Sequence, residues 1–213
     1  MIALTKPFFN QDIIFVLLTV SLLLIALLKG VYWKHAKLLF MGVIAQRYAN
    51  QYLREENAFT ERVNFITFLL MVISFSTVIL KFIPEISILE VLGLLVSVVS
   101  FFLIKMGVIL FLGNIFRIKD VARLGVFFSF LFDRFLGCFL FPFIVVLYFF
   151  SFEITASVLV LIAVIVMILL VLKLFWLWKI GTKSFGFSHF YIFLYLCTLE
   201  IFPLLVLGKE IFY

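Results

Sequence analysis

Apolar residues fall into six long runs separated by charged stretches: Ile13–Leu28, Val63–Leu80, Val91–Leu112, Phe135–Phe152, Ile154–Leu172 and Phe190–Leu207. A helix that crosses the hydrocarbon core of a bilayer needs about 20 predominantly apolar residues, within a range of roughly 17–25. The first run is slightly short, and Tyr32 and Trp33 just beyond it suit the headgroup layer. Strand-type alternation is missing, which argues against a transmembrane barrel. The pattern predicts an all-α, polytopic transmembrane helix bundle of about six spans, forming one domain over residues 1–213 with no internal repeat.

Two connections are longer than turns. In Val31–Arg62, apolar residues recur at Tyr32, Ala36, Leu39, Phe40, Val43 and Ile44 between Lys34, Lys37 and Arg47. That spacing predicts a helix lying in the interface or packing under the bundle, with Asn57 and Thr60 as caps for the next span. In Gly113–Arg134, the nine-residue run Leu124–Phe132 is bounded by Arg123 and Asp133-Arg134. It is too short to cross, so an interfacial or re-entrant elbow is expected, with Asp133-Arg134 a local pair at the water boundary.

Composition sharpens the class. The chain has 213 residues, 67% hydrophobic and 13% charged, against about 45–50% and roughly 25% in soluble domains. A soluble fold of this size has too little interior to hide that much apolar surface, so soluble enzymes, nucleic-acid binders and disordered proteins are excluded. The formal charge is +6, and its placement is uneven. Lys29, Lys34, Lys37, Arg47, Arg54, Arg62, Arg117, Lys119, Arg123, Arg134, Lys173, Lys179 and Lys183 follow the first, third and fifth runs; only Lys6, Lys81 and Lys209 lie on the other side. Basic loops stay cytoplasmic. The bias predicts both termini outside and anionic lipid against the cytoplasmic face. The N-terminal run lacks a small-residue cleavage site and reads as a retained helix.

Few residues can carry chemistry. Glu200 sits near the middle of the sixth run, where a carboxylate is expensive and needs a partner. It reads either as a proton or cation site or as the anchor of a structural polar network. Lys105, in the third run, either pairs with Glu200 or snorkels to the headgroups. His189 and Cys197 share a helical face with Glu200, which allows a His–Glu proton path, although a boundary histidine is more often simply solvated. Arg47, Arg54, Glu55, Glu56, Asn57, Glu61 and Arg62 form the densest polar cluster, a headgroup or partner patch or a self-paired solvated face. Cys138 and Cys197 read as buried thiols. No catalytic motif, phosphate loop or zinc spacing occurs, and one His with one Glu makes no metal site. No cofactor is expected.

The last-run segment Tyr195-Leu-Cys-Thr-Leu-Glu-Ile-Phe-Pro203, with Arg47-Tyr48, Arg54-Glu55 and Asn57 ahead of the second run, resembles a small polytopic membrane family of Bacteroidota catalogued as a domain of unknown function. The resemblance covers nearly the whole chain. It implies an inner-membrane location in a Gram-negative cell, which would make the outer termini periplasmic, and it transfers no catalytic residue. Three functional classes follow. The first is a non-catalytic subunit or assembly factor of a cell-envelope complex with a protein partner, favoured by the missing catalytic motifs, short outer loops and basic inner face. The second is a small proton-coupled transporter or proton-conducting unit centred on Glu200. The third is a lipid-binding or lipid-modifying protein that uses the arginine cluster.

Overall fold

A computed structural model describes residues 9–55, 57–83, 87–115, 119–149 and 152–185. Seven helices occupy them: α1 (Phe9–Gly30), α2 (Trp33–Ile44), α3 (Gln46–Arg54), α4 (Ala58–Leu80), α5 (Ile88–Ile115), α6 (Lys119–Phe149) and α7 (Phe152–Phe185). No strand occurs among the described residues. Among the described residues, five segments are long and apolar enough to cross a membrane: Asp12–Gly30, Ala58–Leu80, Ile88–Ile115, Ala122–Phe149 and Ser157–Lys179. The chain is thus an all-α, multi-pass membrane protein. The expected sixth span, Phe190–Leu207, lies outside the described residues.

Contacts divide the chain into two compact units, Met1–Ser100 with Asp133–Ala163, and Phe101–Phe132 with Val164–Tyr213. In the first unit α4 is the central helix. Its span is 61% buried, against 22% for α1, and Val63, Leu70, Met71 and Leu80 are fully enclosed. α1 packs along α4, and α2 touches α1, α3 and α4. The second half of α6 runs parallel to α4: Arg134 meets Asn64, Gly137 faces the Met71 backbone, and the Tyr148 hydroxyl donates to the Thr77 carbonyl at 2.7 Å. Small residues at such crossings let backbones approach where lipid supplies no hydrophobic drive between helices.

The connection between α1 and α4 is a helical hairpin rather than one helix. Ala45 is extended (φ −139°, ψ 126°) and breaks the chain between α2 and α3. Alanine is a strong helix former, so the break is a tertiary effect. Gly42 lies so near Ala49 that a Cβ on it would sit 3.2 Å from the Ala49 Cα, which lets α2 and α3 close on each other. Ala36, Leu39 and Val43 point inward as the pattern predicts, but Ile44, at the break, is 77% exposed.

The expected elbow at Leu124–Phe132 is not a separate element. α6 is continuous from Lys119 to Phe149, and Phe128, Ser129, Phe130, Leu131 and Phe132 are all buried. From its length, the preceding run is expected to end at a water boundary at Asp133-Arg134. The Arg134 guanidinium is instead hydrogen-bonded within the fold, so the helix continues through it. At ~1.5 Å per residue α6 exceeds the ~30 Å hydrocarbon thickness. Lys173 likewise belongs to α7 and is buried, not part of a loop. Within the second unit, α5 and α6 cross antiparallel, with Phe102 against Phe130 (ring centroids 5.8 Å apart) and Ile109 near Gly125.

Candidate functional site

The densest polar arrangement in the first unit lies where the α2–α3 hairpin meets α4 and α6. It begins with the entry to α4. Asn57 is extended (φ −150°), and its side chain accepts from the backbone N–H of Phe59 and Thr60, while the Thr60 hydroxyl accepts from the Asn57 N–H at 2.9 Å. This reciprocal cap satisfies donors that a helix start otherwise leaves open. The cap fixes Thr60 and, one turn on, Asn64.

On α3, Ala49 and Tyr52 lie three residues apart on the buried face. The Tyr52 hydroxyl reaches both the Thr60 carbonyl and the Asn64 Oδ1 at 3.0 Å, and shares its single proton between them. Arg134 Nη1 donates to the same Asn64 Oδ1 at 2.6 Å. A guanidinium can only donate, which identifies that atom as the oxygen of the amide. A short bond from a charged donor is among the stronger hydrogen bonds. One carboxamide oxygen therefore ties together α3, α4 and α6, whose contributing residues are up to 82 positions apart. Burial pushes the Tyr52 phenol well above its ordinary value, and the nearby Arg134 charge offsets this in part.

Aromatic and charged contacts fasten the rest of the hairpin. The His35 ring stacks on Phe59 with centroids 5.9 Å apart and 5° between planes, and Tyr32 packs on the same ring at 6.2 Å. His35 Nδ1 lies 3.9 Å from Glu55 Oε2, and Gln51 donates to Glu55 Oε1 at 3.0 Å. The Arg62 guanidinium donates to the Tyr32 hydroxyl at 3.4 Å.

These contacts sort the residues singled out from the sequence. Asn57 is a helix cap, and Glu55 is held between Gln51 and His35. Arg47 and Arg54 are exposed and, seven residues apart, share the outer face of α3. Lys105 is only 7% exposed and lies with Phe102 and Ile109 on the inward stripe of α5. Glu200 and His189 lie outside the described residues. Along the spans, the Thr77 hydroxyl bonds the Ile73 carbonyl, whereas Ser97 and Ser100 face outward. Tyr52 and Asn64 are not singled out by the sequence, and Arg134 is expected only as a local pair with Asp133. The available signal was a polar residue one turn past a helix cap, with a tyrosine on the inner face of the preceding amphipathic helix. Among the described residues no group of three His, Cys, Asp or Glu side chains could hold a metal ion.

The Tyr52 hydroxyl, the Asn64 amide oxygen and the Arg134 guanidinium bond one another across three helices, so the node holds helices in place. Removing the Tyr52 hydroxyl tests this. Tyr52→Phe is expected to cost about 1 kcal/mol, the net value of a buried hydrogen bond. The folded-state phenol is raised and neutral, so its contribution is present below the unfolded value near 10 and declines above it as the unfolded phenol ionises. The stability gap between wild type and Tyr52→Phe should therefore be constant up to about pH 10 and shrink beyond it. Denaturation of both proteins in detergent across pH 7–11 measures that gap.

No curated protein and no solved structure matches the chain. A family model, described as a domain of unknown function (DUF4271), matches residues 14–211, which takes in all but the first two residues of the described spans and the whole hairpin node; the chain belongs to that family.

Proposed function

We propose that this protein is a non-catalytic, integral inner-membrane subunit or assembly factor of a Gram-negative cell-envelope complex, with the α2–α3 hairpin as its cytoplasmic docking platform. The observation that carries this reading is the outer face of α3. Arg47 and Arg54 stand exposed on one face of a helix whose opposite face is anchored through Ala49 and Tyr52. A rigid helix that presents two fixed positive charges suits an acidic protein segment. Electrostatic complementarity of this kind chiefly sets specificity and encounter rate. Beside the platform, Tyr52, Asn64 and Arg134 are engaged in contacts between helices. The excess of basic residues in the same connection supports a cytoplasmic position for it.

A second reading, a proton-coupled transporter centred on Glu200, is favoured by one observation: a lysine, Lys105, is buried in a membrane-spanning helix. Glu200→Gln separates the two, because a proton carrier fails when its carboxylate becomes an amide and a scaffold does not.

The direct test is gentle extraction of the tagged full chain from its native membrane, with mass spectrometry of what accompanies it. A stoichiometric partner is expected with the wild type, and its yield should fall at least about tenfold with Arg47→Glu/Arg54→Glu, as a loss of about 1.4 kcal/mol requires. A partner-free wild type, or a partner indifferent to the charge reversal, would remove the docking reading.

A further inference from the structure

Where α1 ends and α4 begins, the surface holds a shallow open groove of about 400 Å³, lined by Leu27, Tyr32, Glu61, Arg62, Phe65 and Ile66. Its chemistry is graded along the membrane normal. Leu27 lies inside the α1 span, and Phe65 and Ile66 lie in the second turn of the α4 span. Phe65 is 64% exposed and so presents its ring to the acyl region. Glu61, in the first turn of α4, and Arg62, just after it, stand near the end of the helix where both spans approach the aqueous boundary. Trp33, 50% exposed in the next helix, is of the type that settles at headgroup depth.

The two charges at the mouth are separate. Consecutive helical residues diverge by about 100° and do not face each other. Among the described residues neither Glu61 nor Arg62 enters an ion pair, and the side-chain bond of Arg62 is to the neutral Tyr32 hydroxyl. An exposed acid and an exposed base, held apart above an apolar slot, are complementary to a headgroup that carries both signs above an acyl chain. A purely anionic headgroup would meet the Glu61 carboxylate at the same mouth. A trimethylammonium headgroup offers that carboxylate no N–H, whereas a primary ammonium offers three donors.

We propose that this groove binds one phosphatidylethanolamine molecule, with the phosphate on Arg62, the ammonium on Glu61, and an acyl chain along Leu27, Phe65 and Ile66. Guanidinium groups suit phosphate because their fork of N–H donors matches its oxygens. The site uses none of the exposed charges on α3, so its failure would leave the docking platform untouched.

The test uses the full chain reconstituted in nanodiscs that contain equal parts phosphatidylethanolamine, phosphatidylcholine and phosphatidylglycerol, with native mass spectrometry of the lipid retained per chain. Wild type is expected to retain phosphatidylethanolamine about fivefold over either competitor, the ratio that about 1 kcal/mol produces. Glu61→Gln should bring phosphatidylethanolamine down to the phosphatidylcholine level, and Arg62→Gln should reduce retention of all three. Both positions are exposed, and circular dichroism confirms that the variants keep their helicity. Equal or greater retention of phosphatidylglycerol by the wild type would overturn the proposal, as would a retention pattern unchanged in Glu61→Gln and Arg62→Gln.

Discussion

Replacing Asn64 with leucine is expected to destabilise the first unit by roughly 2–3 kcal/mol, the scale of a buried hydrogen bond to a charged group. Leucine is close to asparagine in size but removes the oxygen that Arg134 Nη1 reaches at 2.6 Å and Tyr52 at 3.0 Å. The guanidinium then loses that short bond while its stem stays packed on α6, and losing an acceptor of a buried charged donor is costly. Arg134→Met should cost less, because it removes the charge and leaves Asn64 Oδ1 still satisfied by Tyr52. The double variant Asn64→Leu/Arg134→Met should recover part of the loss, with a coupling energy of about 1–2 kcal/mol between the two sites. Denaturant or thermal unfolding of the four proteins in one detergent provides the cycle. Strictly additive losses would show that Asn64 and Arg134 do not act together.

The second large effect is steric. A Cβ at Gly137 would come against the Met71 Cα and within 2.9 Å of its Cβ, and a backbone atom cannot rotate away as a side chain can. Gly137→Val is therefore expected to cost about 3 kcal/mol, the upper end of the usual penalty for overpacking a core, by prying α6 from α4. Two glycines on the same type of helix serve as controls. Gly107 has nothing within 4 Å of the added atom, and at Gly125 the nearest atom is Ile109 Cγ2 at an ordinary 3.8 Å. Gly107→Ala and Gly125→Ala should be neutral, or stabilising by up to about 1 kcal/mol from helix propensity. The same unfolding assay compares all three. A Gly137→Val protein as stable as the wild type would mean that the α4–α6 crossing is wider than described.

The outline of the fold was readable from the chain because span length is a strong physical constraint, and a run such as Val63–Leu80 has few other uses. The α4 cap was readable too, since Asn57 and Thr60 carry a local signal with a local cause. What escaped was tertiary. Ala45 carries no sign of a helix break, which arises from the close approach of Gly42 and Ala49. Arg134 beside Asp133 looks like a water boundary until Asn64, 70 residues earlier, is seen to receive it. Reading that pair as a boundary turned the first half of α6 into an elbow, and the same habit assigned the buried Lys173 to a loop. At the candidate site, the exposure of Arg47 and Arg54 follows from their seven-residue spacing on an amphipathic helix. The roles of Tyr52 and Asn64 do not, because their partners come from other elements.

The docking reading and the Asn64 node depend on the α2–α3 hairpin being a fixed platform rather than a loose connection, and amide hydrogen exchange of the full chain in detergent or nanodiscs tests that most directly. In the wild type, α3 amides should exchange slowly, as protection from a packed element requires. In Asn64→Leu their exchange should accelerate by about thirtyfold or more, as a local loss of roughly 2 kcal/mol implies, while α5 amides stay unchanged. Fast exchange of α3 in the wild type, or protection indifferent to Asn64→Leu, would contradict the platform and the node that holds it.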